Sequence, residues 1–129
     1  MLRVYIKTFG CQVNLYDSEH LFTLLQSYFG CLRSYNVIEA DLLIVNTCSV
    51  REKSYYKVFS LLGKWKLLKE KNTRLIICVV GCIVQQCGIV FSRYMPFVDI
   101  LLGTQVFMRF PEILDSFLLT HQVQCIVEN

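Results

Sequence analysis

Hydrophobic and polar positions along the chain fall into two alternating rhythms. Leu2 to Phe9 is a short run with strand character, halted by Gly10. Leu15, Leu21, Phe22, Leu24, Leu25 and Phe29 then recur at helical spacing. Asn14 suits the cap of that helix, Asp17 its N-terminal dipole and Gly30 its end. Leu32 to Val37 is a weak second strand. Asp41 to Asn46, DLLIVN, is a continuous apolar run of the kind found in central parallel strands. Ser49 and Glu52 form a capping box that opens a helix ending near Asn72. Its Tyr55, Val58, Leu62 and Trp65 share one face, which predicts contact with the sheet. Leu75 to Val80 is another buried strand, Val84 to about Tyr94 a helix, and Val98 to Leu102 a short strand closed by Gly103. Thr104 to Leu119 is a last helix with Pro111 as a local irregularity.

Strand and helix alternating at this spacing predict βαβ units. The expected architecture is an α/β three-layer sandwich of flavodoxin or Rossmann type. Its sheet is mostly parallel, with four or five strands and helices on both faces. Residues 1–119 read as one domain, and 120–129 as a tail or the start of a linker.

Composition changes this picture in one respect. At 54% hydrophobic the chain is more apolar than the roughly 45–50% usual for soluble domains. A two-sided buried sheet accounts for this, and so does a surface that faces a partner. The longest apolar run, LIICVVGCIV, is too short to span a bilayer. The chain enters a strand pattern without a signal-peptide pattern, so the expected compartment is cytoplasmic, away from membranes.

Charge is distributed unevenly. Residues 51–74 hold eight basic and two acidic side chains, a net +6, against −3 for the remainder. On this helix Lys53, Lys57 and Lys64 are candidates for RNA phosphate contact. The lysines occupy more than one helical face, however, and few aromatics accompany them. That pattern favours a solvated amphipathic face.

Candidate chemistry rests on the seven cysteines. In a reducing compartment they do not form a disulfide framework. Cys11, Cys48 and Cys82 each follow a predicted strand, at separations of 37 and 34 residues. In a parallel sheet the carboxyl ends share one edge, and that edge binds ligands. Three thiols are therefore expected to converge there, whereas Cys31, Cys78, Cys87 and Cys125 read as packing or incidental residues. Three soft ligands suit zinc or an iron–sulfur cluster. Structural zinc usually takes four protein ligands, and neither His20 nor His121 is obviously placed as a fourth. Asn14, Asn46 and Thr47 are candidates for hydrogen bonds to sulfur. A flavodoxin-like nucleotide or flavin site would need a phosphate loop rich in glycine, which is absent. A zinc or interaction domain remains a further alternative. Cys78, Cys82 and Cys87 have the spacing C-x3-C-x4-C, whose last gap does not fit the radical S-adenosylmethionine motif C-x3-C-x2-C.

The phrases TFGCQVNLYDSE, ADLLIVNTCSVREKSYYKVFSLLGKWK, VVGCIVQQ and VDILLGTQ resemble, in order, the N-terminal domain of the radical S-adenosylmethionine methylthiotransferases. The resemblance runs from about Tyr5 to Pro111. GCQ-x-N with NTCS-x-REK is similar to the branch that methylthiolates isopentenylated adenosine beside the anticodon of tRNA. Val13 stands where that branch often has Met. The resemblance implies a transferase in tRNA modification, with Cys11, Cys48 and Cys82 holding an auxiliary 4Fe-4S cluster that delivers sulfur. It also implies a radical domain carrying a second 4Fe-4S cluster and S-adenosylmethionine, then a C-terminal RNA-binding domain. Neither matches anything in these 129 residues, so the fragment alone is expected to be inactive, with no catalytic residue of its own.

Overall fold

The computed structural model describes residues 2–10, 12–47 and 52–127, with side chains throughout except at 52–54 and 87. Cys11, Cys48 and the capping-box residue Ser49 lie outside the described residues, as do the side chains of Glu52, Lys53 and Cys87.

Strands β1 (Arg3–Thr8), β2 (Leu32–Arg33), β3 (Leu42–Thr47), β4 (Ile76–Gly81), β5 (Ile100–Leu102) and β6 (Gln124–Ile126) form one sheet in the order β2-β1-β3-β4-β5-β6. Every pairing is parallel. Between them run helices α1 (Gln12–Phe29), α2 (Glu52–Lys71), α3 (Cys82–Tyr94) and α4 (Phe110–Thr120).

Alternation along the strands splits the interior into two cores. Val4, Leu42, Ile44, Cys78, Val80 and Ile100 face one way, against Leu21 and Leu25 of α1 and Phe110, Ile113, Leu114 and Phe117 of α4. Leu43, Val45, Ile77, Val79 and Leu101 face the other way, against Val58, Leu62 and Trp65 of α2 and Ile83, Val84 and Phe91 of α3. β3 and β4 are buried on both faces along their whole length. That is why they read as unbroken apolar runs rather than alternating ones.

Several expectations change. The sheet has six strands rather than four or five. The sixth comes from residues read as a tail: Cys125 and Val127 pack against the second core, and Gln124 N donates to Asp99 O at 2.9 Å. The second strand shrinks to Leu32–Arg33. α1 starts at Gln12, so Asn14 is a first-turn residue rather than the cap, and Asp17 falls beyond the first turn. α3 starts at Cys82, two residues early. The last helix divides into a 3-10 segment (Thr104–Arg109) and α4, with Pro111 in the first turn of α4. A proline there loses no intrahelical bond, so it starts the helix rather than disturbing it. Gly30, at φ 66°, ends α1 as read, its amide donating to Gln26 O at 2.9 Å. No helix among the described residues is long and apolar enough to cross a membrane.

Candidate metal centre at the carboxyl edge of the sheet

Strand order creates a crevice between β1 and β3. From β1 the chain crosses to β2 on one side, then passes back to β3 on the other. Such a reversal point opens a crevice at the carboxyl ends, where doubly wound folds bind ligands. Register aligns the ends closely: Thr8 pairs with Asn46, and Thr47 pairs with Gly81. The next residue after Thr47 is Cys48, the next after Gly81 is Cys82, and Cys11 follows β1 by three positions. Cys82 is half-buried and is the first residue of α3.

Gly81 determines how Cys82 is presented. Its φ is 111°, a conformation that side chains rarely adopt. A Cβ there would lie 2.4 Å from Thr47 O and 2.9 Å from Thr47 Oγ1. Only glycine lets the end of β4 approach β3 so closely. Thr47 then ties the two ends together: its hydroxyl donates to Val80 O at 2.8 Å and accepts from Ile83 N at 3.3 Å. α3 opens with no side-chain cap of its own at Gly81, so Thr47 of the neighbouring strand meets one of its first-turn amides instead.

A second set of neutral hydrogen bonds joins β1, α1 and β3. Asn46 Nδ2 donates to Asn14 O and to Ser18 Oγ, both at 3.0 Å. Ser18 Oγ lies 2.7 Å from Thr8 Oγ1, and Asn14 Nδ2 donates to Thr47 O at 3.4 Å. Ser18, Asn46 and Thr47 are all buried. The Asn14 carbonyl can only accept, so the Asn46 amide nitrogen must face it. This leaves the buried Asn46 Oδ1 without a hydrogen-bond partner among the described residues. An unmet buried acceptor costs about 1–3 kcal/mol. It is the kind of open valence a site carries toward something it binds.

All three polar residues singled out in the sequence, Asn14, Asn46 and Thr47, therefore meet at this edge. Ser18 and Thr8 were missed. The available signal was spacing: Asn14 and Ser18 are four apart, on one helical face, in the stretch NLYDS. Among the described residues no three His, Cys, Asp or Glu side chains form a metal-binding group. His20 is exposed, its Nε2 3.3 Å from Met108 Sδ, and His121 stacks edge-on against Phe117.

The other described thiols are poor ligands. Burial pushes the Cys78 thiol well above its ordinary 9.0, the Asp99 carboxylate adds to the rise, and Lys69 partly offsets it. Burial also raises Cys31 and Cys125. A thiol raised in this way is a weaker nucleophile at a given pH than an unperturbed one. Cys31, Cys78, Cys82 and Cys125 are all free of disulfides.

Residues 3–103 match the model of Uncharacterized protein family UPF0004. The chain belongs to this family. It is 50% identical over 119 residues to the tRNA-2-methylthio-N(6)-dimethylallyladenosine synthase of Yersinia enterocolitica serotype O:8, covering 92% of this chain and 25% of the relative. It is also 50% identical over 113 residues to the proteins of that name from Yersinia pestis strain Pestoides F and Yersinia pseudotuberculosis strain IP 31758, covering 88% of this chain and 24% of each relative. The chain thus spans about a quarter of the length of the curated relatives it matches.

Proposed function

We propose that this chain is the auxiliary-cluster domain of a cytoplasmic tRNA methylthiotransferase, with Cys11, Cys48 and Cys82 as the thiolate ligands of a 4Fe-4S cluster. The observation that carries the reading is the register at the carboxyl edge. Thr47 pairs with Gly81, and the residue after each is a cysteine. The chemistry of the donor set agrees. Thiolates are the ligands that iron–sulfur clusters take, and side-chain-free Gly81 lets the end of β4 close onto Thr47 at the end of β3. The names of the relatives supply the substrate class and the reaction, addition of a methylthio group to dimethylallylated adenosine of tRNA.

Held by the thiolates of Cys11, Cys48 and Cys82, such a cluster would supply the sulfur to be transferred. The roles of this chain's own residues follow from the bonds described above. Thr47 fixes the spacing between the ends of β3 and β4. Asn46, Ser18 and Thr8 fix the end of β3 against α1 and β1. All four are uncharged, so they orient without adding charge to a group that thiolates already make anionic. In the intact enzyme, a radical domain with its own cluster and S-adenosylmethionine, and an RNA-binding domain, complete the machinery.

Anaerobic reconstitution with iron and sulfide tests the reading. It should give about four irons per chain and a broad visible absorption. Full iron content in a variant with Cys11, Cys48 and Cys82 all changed to Ala would overturn it, and one tightly held zinc per chain would replace it with a zinc site.

A further inference from the structure

Among the described basic side chains of α2, Lys66 and Lys69 are engaged with the fold, while Lys57, Lys64 and Lys71 are exposed and form no ion pair with a described carboxylate. Lys69 pairs with Asp99 and donates to Phe97 O at 3.1 Å, and Lys66 sits 6.0 Å from the centre of the Phe97 ring. Lys57 and Lys64 stand seven residues apart, two turns along one face.

That face borders a groove of about 360 Å3 lined by Phe9, Tyr56, Lys57, Ser60, Leu61 and Lys64. No acidic side chain among the described residues lines it. Phe9 lies at the carboxyl edge, two residues before Cys11, with its amide donating to Asn46 O at 2.9 Å. Lys7 adds a third cation from β1, 5.5 Å over the Phe9 ring and also without an ion-pair partner among the described residues. Tyr56 leaves 76% of its surface exposed. An aromatic ring with so little burial contributes little to the core.

We propose that this groove binds RNA: Lys7, Lys57 and Lys64 contact successive phosphates, and the Tyr56 ring stacks on a base. Unpaired cations along a groove and an exposed ring beside them are the two elements of a sequence-tolerant single-strand site. The groove starts at the edge that carries the thiols, so a strand lying in it reaches that edge. The assignment rests on the tRNA reading above and adds the surface that the RNA uses. It also revises the solvated-face reading of these lysines, because Lys57 and Lys64 share one groove rather than being scattered around the helix.

The test is fluorescence anisotropy of a labelled RNA hairpin with the full 129-residue chain, with salt raised from 50 to 200 mM. Three phosphate contacts predict a slope of log affinity on log salt of about −2 to −3. Changing Lys7, Lys57 or Lys64 to Ala should each flatten the slope by about 0.7–0.9. Lys71→Ala, with the same change in charge on the same helix, should leave it unaltered. Tyr56→Ala should weaken binding about tenfold at unchanged slope, and Tyr56→Phe should restore it. A wild-type slope near zero would overturn the proposal, and so would equal losses in the groove variants and Lys71→Ala. Iron content, measured in parallel, separates the two readings. Normal iron with no salt-dependent RNA binding removes the groove alone. Groove-dependent RNA binding without iron removes the cluster alone.

Discussion

The two edges of this sheet handle buried polarity in opposite ways. At the amino edge Asp99 and Asp41 are charged and satisfied, while Arg33 Nε, level with Val4, is a buried donor without a partner among the described residues. Asp99 accepts from Ile77 N at 3.0 Å and pairs with Lys69, while Asp41 accepts from Arg3 N at 2.9 Å. At the carboxyl edge the groups are neutral and incompletely satisfied: Thr8, Ser18, Asn46 and Thr47 bond one another and the backbone, yet Asn46 Oδ1 stays open. A backbone conformation open only to glycine also sits there, at Gly81. A clamp that serves only the fold completes itself from the chain. The carboxyl edge combines a backbone conformation open only to glycine with an unmet neutral acceptor. Size points the wrong way here. A cleft of about 780 Å3 opens at the amino edge, lined by Asp41, Lys69, Arg74, Asp99 and His121 among others, at the opposite end of the strands from Thr47 and Gly81.

Substitutions can break this contrast, and the largest effect is expected at Gly81. Gly81→Ala places a Cβ against the Thr47 backbone at unfavourable φ, which should cost about 3 kcal/mol of stability and depress iron loading together with it, as measured by urea denaturation and iron assay. Asp99→Ala strands Lys69 and the Ile77 amide at the other edge. It should cost about 2–3 kcal/mol but leave iron per folded chain unchanged. An iron loss with Asp99→Ala equal to that with Gly81→Ala would erase the distinction between the edges.

Ser18→Ala removes one acceptor from Asn46 and should cost about 1–2 kcal/mol. Its sharper readout is the electron paramagnetic resonance spectrum of the reduced cluster. That spectrum should shift, because the β1 and β3 ends are no longer held at one spacing.

The smallest expected effect is a pH dependence from Cys78. The folded thiol keeps its proton above 9.0, and the unfolded thiol does not. Its contribution to stability is therefore complete below about pH 9 and is lost as pH rises from there through the raised folded value. Urea midpoints should fall between pH 8 and pH 10, and Cys78→Ala should flatten that fall. A variant as steep as the parent would show that Cys78 is not the source.

Much of the fold was legible because the strands are buried on both faces. DLLIVN and LIICVV carry no alternation to misread, and they became β3 and β4. What escaped has identifiable causes. Gln124–Ile126 forms an edge strand of three residues with polar Gln124 and half-buried side chains, too short to leave a periodic signal. The start of α1 was misplaced because Asn14 is a good cap residue, but Gly10 turns the chain so that the helix already begins at Gln12. At the candidate site Asn14, Asn46 and Thr47 were read only as candidates for bonds to sulfur, and their meeting one another comes from the packing of α1 against β3. Ser18 was missed, because a serine inside a helix shows its partner only after β3 is packed against that helix. The groove was hidden for a similar reason. Lys7 and Phe9 are distant in sequence from Lys57, and only the packing of α2 beside β1 brings them together.

The most direct test of the central claim compares two cysteines four residues apart. Cys78 is buried within β4, and Cys82 stands at its carboxyl edge. After anaerobic reconstitution, Cys82→Ala should lose most of its iron and its visible absorption, while Cys78→Ala keeps about four irons per chain. Iron retained in Cys82→Ala, or lost equally in both variants, would contradict a cluster held at the carboxyl edge.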